Sequence, residues 1–154
     1  RRRHWENIST SLIGLGLIGY ALALPGTRAF GVRFDAHTLL FASLAIICGY
    51  QCIVFAALAK TFAISEGLLP LTAVMKKWFE RLNLERGLVA GAVAMIGGLA
   101  LLLTAVLQWR ARSFGDLDYA VTMRWVVPGV TLTTLGFQTI LFSFFLSLLG
   151  MRRK

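Results

Sequence analysis

Acid is scarce in this chain. Seven Asp and Glu stand against sixteen Lys and Arg, which leaves a net charge of +9. The seven are Glu6, Asp35, Glu66, Glu80, Glu85, Asp116 and Asp118, and all lie at or beyond the ends of apolar stretches. No carboxylate remains inside those stretches to carry a proton or an ion, which argues against a coupled transporter. Histidine is limited to His4 and His37, each without a nucleophile or metal partner nearby. Cysteine is limited to Cys48 and Cys52, one helical turn apart inside an apolar run. No second pair of ligands accompanies them, so they read as buried small hydrophobes and not as a zinc site. Asp116-Leu117-Asp118 has the form of a metal-binding Asp-x-Asp, but no nucleotide fold surrounds it. There is no Gly-rich phosphate loop, no nucleophile constellation and no visible secretory signal. The first residues are Arg1-Arg2-Arg3, which fits the tail of a longer protein.

What is present is apolar length. The chain is 57% hydrophobic and only 15% charged, with mean hydropathy +0.72. A soluble domain of this size carries more charge. Roughly 20 helical residues at about 1.5 Å each cross a hydrocarbon core. Four stretches qualify or nearly so: 8–24, 38–64, 87–107 and 126–149. Pro25-Gly26 ends the first. Pro128 is placed in the first turn of the fourth, where a missing N–H costs little. Gly14, Gly16 and Gly19 in the first and Gly91, Gly97 and Gly98 in the third let helices approach closely in lipid.

Residues 65–86 differ in kind, because their charges forbid a span. Leu71, Val74, Met75, Trp78 and Leu82 share one helical face. Pro70 suits a first helical position. The stretch 70–84 therefore reads as an amphipathic helix in the membrane interface, with Lys76, Lys77, Arg81 and Arg86 toward anionic headgroups or a partner domain.

The chain also repeats itself. Gly49-Tyr50-Gln51 with Ile53 and Phe55 returns as Gly136-Phe137-Gln138 with Ile140 and Phe142. Arg28, Phe30 and Gly31 match Arg112, Phe114 and Gly115, and Ala36 and Thr38 match Ala120 and Thr122. Three extra residues enter the second copy before its Gly-x-Gln run. The expected fold is an all-α integral membrane protein with four transmembrane helices. They form two repeated hairpins, 8–64 and 87–149, plus the cytoplasmic interfacial helix, as one membrane domain over 1–154. Parallel hairpins of this kind relate by a pseudo-twofold axis along the membrane normal. Gln51 and Gln138 are the intramembrane polar groups. Each amide needs a partner, which makes them interhelical packing residues or the lining of a lipid groove.

Eleven of the sixteen basic residues fall in the two termini and the middle segment, and five in the other two loops. Positive-inside bias then puts both termini and the interfacial helix in the cytoplasm of a multi-pass inner-membrane protein. The positive balance points to anionic lipid and away from nucleic acid.

Several stretches carry a resemblance. They are Asp35-Ala36-His37-Thr38-Leu39-Leu40, Ala42-Ser43-Leu44-Ala45, Gly49-Tyr50-Gln51 and Ser65-Glu66-Gly67-Leu68-Leu69-Pro70. Gly136-Phe137-Gln138 and Ser143-Phe144-Phe145-Leu146-Ser147-Leu148-Leu149-Gly150 complete the set. Together they resemble the C-terminal membrane region of bacterial family-2 glycosyltransferases, relatives of the dolichol- and undecaprenyl-phosphate sugar synthases. The resemblance implies a non-catalytic anchor that positions a polyprenyl-phosphate acceptor, with Lys76, Lys77, Arg81 and Arg86 near its phosphate. It also implies that sugar nucleotide and divalent metal belong to a separate catalytic domain, so this chain itself holds no cofactor and no catalytic residue. Expected partners are membrane lipids, a catalytic domain or other membrane subunits, and a further copy of the chain. Two other classes stay open: a non-catalytic subunit of a larger membrane complex, and a small lipid flippase, which the missing intramembrane charge disfavours.

Overall fold

A computed structural model describes residues 3–25, 28–29, 32–33, 36–70 and 84–151. The chain runs α1 (Arg3–Ala23), β1 (Arg28–Ala29), β2 (Val32–Arg33), α2 (Ala36–Ser65), α3 (Leu84–Ala111) and α4 (Tyr119–Met151). Three helices, α2, α3 and α4, are long and apolar enough to cross a membrane. At 30, 28 and 33 residues they are about 42–50 Å long, more than a hydrocarbon core of about 30 Å needs. The apolar part of α1, Ile8–Ala23, is shorter. Between α1 and α2 the two short strands pair antiparallel, Arg28 with Arg33 and Ala29 with Val32, a feature the sequence did not suggest. Most of the expected interfacial helix, including Lys76, Lys77 and Arg81, lies outside the described residues.

Side-chain and backbone chemistry set the helix ends. Asp118 Oδ1 accepts from the backbone N–H of Ala120 (3.0 Å) and Val121 (3.4 Å), so Asp118 is the N-cap of α4. That carboxylate serves the helix start. Because the cap sits here, α4 begins at Tyr119 and Pro128 falls inside the helix, not in its first turn. Its ring removes the bond that would reach the carbonyl of Arg124. At the other end of α2, Leu68 N–H donates to Ala63 O (2.8 Å) and Gly67 N–H to Ile64 O (3.1 Å), with Gly67 at φ 72°. This is a left-handed cap of the Schellman kind, on the residue that adopts it most readily. The end of α3 repeats it with Ser113 in the glycine position, at φ 53°. There Phe114 N–H reaches Trp109 O (3.0 Å), and the two rings meet edge to face at 4.9 Å. That ring contact is the apolar clasp such caps commonly carry.

Two antiparallel hairpins result, and glycine sets how closely each closes. In the first, Gly16 lies against Ala42 O and Ile46, and Gly49 against Ser9 O and Ile13. In the second, Gly98 lies against Gly129 O and Thr133, and Gly136 against Gly91 O and Met95. Small residues thus recur every seventh position on all four helices, and backbones nearly touch at two levels in each hairpin. Without a hydrophobic force between helices in lipid, such contact is what holds them.

The hairpins meet through α2 and α4, which run parallel, while α1 and α3 stay on the flanks. Ala23, Leu39 and Val127 form the buried cluster, with Tyr20 and Met123 packed against it. We call this the upper end, where α2 and α4 begin.

Candidate functional site

The α2–α4 seam is polar along much of its length. Near the upper end, Tyr20 of α1 places its hydroxyl 2.7 Å from Ser43 Oγ and 3.0 Å from Thr131 Oγ1, which ties three helices at one atom. Ser43 and Thr131 hold their own protons on the carbonyls of Leu39 and Val127, so the single tyrosine proton is donated to one of the two oxygens at a time. Two turns lower, the Tyr50 hydroxyl lies 2.6 Å from Thr139 Oγ1. Beside it Gln138 Nε2 donates to Gln51 Oε1 at 2.7 Å. Helix geometry delivers these pairs: Ser43 with Tyr50, and Thr131 with Gln138, are each seven residues apart on a single helix face.

The amide pair is incompletely satisfied. Gln138 Oε1 is buried and meets no donor. Gln51 is exposed, and its Nε2 carries two hydrogens toward surroundings where hydrocarbon offers no acceptor. Cys48 and Cys52 are also exposed on this side of α2. The expectation that they are buried fails, because α1 and α4 cover the other flanks of the helix. Arg86 is exposed in the first turn of α3, beside Glu85. Arg124 belongs to α4 rather than to a loop, and its Nε is buried without a partner. At the upper end a shallow hollow between α3 and α4 is lined by Gln108, Arg112, Asp118 and Thr122.

Sequence reasoning singled out the glutamines but missed Tyr20, Tyr50 and Thr139. The available signal was polar side chains seven apart in both halves, Ser43 with Tyr50 and Thr131 with Gln138, set among residues that are otherwise apolar. Among the described residues no three His, Cys, Asp or Glu side chains gather as a metal would require. The seam's hydroxyls and amides can hold helices together or hydrogen-bond a ligand.

Comparison with known proteins fits this membrane architecture. Residues 57–150, more than half of the chain, match the family described as the glycosyltransferase family 2 C-terminal transmembrane region. The chain belongs to that family. The matched residues of this transmembrane region take in the lower end of α2, all of α3 and α4 through Gly150, and so include Gln138 and Arg86. The chain is also similar to the low-salt glycan biosynthesis hexosyltransferase Agl6 of Haloferax volcanii, with 29% identity over 137 residues. That match covers 88% of this chain and 32% of the relative, so the chain spans about a third of the relative's length. No solved structure matches. The chain is thus a membrane-embedded region of the family-2 glycosyltransferase type.

Proposed function

We propose that this region anchors a family-2 glycosyltransferase in the membrane and holds a polyprenyl-phosphate acceptor beside its catalytic domain. The match to a C-terminal transmembrane family carries the reading, and the similarity to a hexosyltransferase supports it. Sugar transfer itself, with sugar nucleotide and divalent metal, belongs to a catalytic domain outside these 154 residues. Lys76, Lys77, Arg81 and Arg86 stand between α2 and α3 and in the first turn of α3, where positive charge suits a phosphate at the interface. Four spans in two repeated hairpins, with both termini on the cytoplasmic side of the inner membrane, complete the proposal. The repeat is supported by contacts far from its sequence motif: Gly16 with Ala42 answers to Gly98 with Gly129, and Ser9 with Gly49 to Gly91 with Gly136.

The test is photolabelling. The chain in vesicles is exposed to a photoreactive polyprenyl phosphate. Labelling is expected, and it should fall when Lys76, Lys77, Arg81 and Arg86 are all changed to Gln. No labelling removes the acceptor role, and undiminished labelling of the variant removes the phosphate contact. Single cysteines at Gly26 and Gly115 should react with an impermeant maleimide from outside the cell. One at Trp78 should react only after lysis, and its labelling in intact cells would sink the orientation.

A further inference from the structure

The two hairpins are alike within themselves but do not meet through equivalent faces. The glycine contacts pair Ala42 with Gly129, Ile46 with Thr133 and Gly49 with Gly136 as counterparts. By the same register the counterparts of Leu39, Ser43 and Tyr50 are Val126, Val130 and Phe137. Yet Val127 and Thr131 on the α4 side of the seam lie one place beyond the counterparts of Leu39 and Ser43, and Thr139, which meets Tyr50, lies two beyond; of these contacts only the Gln51–Gln138 bond joins counterparts. One residue is about 100° around a helix. The hairpins are therefore packed head to tail, and the expected pseudo-twofold is not followed. The chemistry fits, since Ser43, Tyr50, Thr131 and Thr139 are polar, whereas Val130, Phe137, Leu44 and Cys52 at the counterpart positions are not.

Head-to-tail packing leaves one face of each kind unused. Ser43 is 6% exposed and its counterpart Val130 47%; Thr131 is 4% exposed and its counterpart Leu44 57%. Phe137 and Leu40, counterparts of Tyr50 and Val127, are open as well. The amides show the same incompleteness. Gln138 donates to Gln51, but the equivalent acceptor, Gln138 Oε1, has no partner, and the equivalent donor, Gln51 Nε2, belongs to an exposed side chain.

We propose that a second copy of this chain fills both faces. The open face of α4 in each copy packs on the open face of α2 in the other, in the crossing geometry already seen within the chain but with apolar side chains in place of the seam's hydroxyls. On each of the two helices the used and unused faces lie about 100° apart. Four such corners close a ring of two α2 and two α4 helices, with α1 and α3 outside. Heterologous contacts that close make rings. With both copies oriented alike in the membrane, all four ring helices run parallel. Gln51 Nε2 of one copy then donates to Gln138 Oε1 of the other, which closes a cycle of four amides. Gln138 Oε1 is shielded by its own chain, so that bond requires its side chain to turn. The proposal does not depend on the glycosyltransferase reading.

The test is disulfide crosslinking in native membranes. In a Cys48→Ala, Cys52→Ala background, Leu44→Cys and Val130→Cys are placed on separately tagged copies of the full chain and co-expressed. Copper phenanthroline is expected to link the two tags, and neither variant is expected to crosslink when expressed alone. Leu44→Cys linking to itself would mean a face-to-face dimer and overturn the head-to-tail ring. No link in any combination would mean that lipid covers these faces, which overturns it too. Gln51→Leu should reduce the mixed crosslink several-fold, and an unchanged yield would remove the amide cycle. Should the cysteine variants misfold, native mass spectrometry of the unmodified chain decides: two copies are expected, and one overturns the proposal.

Discussion

Replacing Gly136 by Ala puts one methyl group where two backbones almost touch. An ideal Cβ there falls 2.5 Å from Met95 N, 2.6 Å from Gly91 O and 3.0 Å from Met95 Cα. All three neighbours are main chain, so no rotamer change relieves the clash. Ordinary contact begins at 3.4 Å, so α3 and α4 must part by a good fraction of an ångström. Overpacking of this kind costs about 1–3 kcal/mol, while Ala gains about 1 kcal/mol over Gly in helix propensity. Gly14 is the control, because nothing lies within 4 Å of its added Cβ and only the propensity gain applies. Gly49 falls between them, since its nearest neighbour is the movable Ile13 Cγ1 at 2.8 Å. Unfolding by steric trapping in bicelles should therefore rank Gly14→Ala above Gly49→Ala above Gly136→Ala, with the extremes about 1–3 kcal/mol apart, since the propensity gain is common to both. If Gly136→Ala proves as stable as Gly14→Ala, the close approach of α3 and α4 is not what holds the second hairpin.

Other outcomes follow from single interactions, each measurable in the same unfolding assay. Asp118→Ala removes the cap of α4 and should cost about 1 kcal/mol, with faster amide exchange at Ala120 and Val121. Gly67→Ala should destabilise and Ser113→Gly stabilise, each by up to about 1 kcal/mol, because both positions hold a left-handed backbone. Equal effects of one sign would contradict the two cap assignments. Gln138→Leu removes one interhelical bond and should cost only about 0.6 kcal/mol in a single chain. Tyr20→Phe should cost more than Tyr50→Phe, since the Tyr20 hydroxyl joins three helices and the Tyr50 hydroxyl two.

Much of the architecture was legible in the sequence because it rests on sums over many residues. Apolar length identified the helices that form hairpins, but charge misplaced the start of α3, which begins at Leu84 and takes in Glu85 and Arg86. The ends of α4 were less legible, since a single Asp118 cap moved its start and left Pro128 inside the helix. Gln51 and Gln138 stood out as amides in apolar runs, but their neighbours did not. Tyr20, Ser43 and Thr131 lie far apart in the chain and become a site only when three helices meet.

The sequence by itself determined that this is a membrane protein of long helices and that acid stays out of their middles. These follow from the cost of placing charge in hydrocarbon and from the length needed to cross it. Repetition suggested a symmetric join between the copies, and here the tertiary structure decided otherwise. A repeat fixes which residues correspond, but not which faces touch, because one residue turns a helix by about 100°. Ser43 and Tyr50 against Thr131 and Thr139 gave one pairing of faces hydrogen bonds that Val130 and Phe137 could not supply. Hydrocarbon offers no substitute for those bonds, so within one chain it is the polar faces that join.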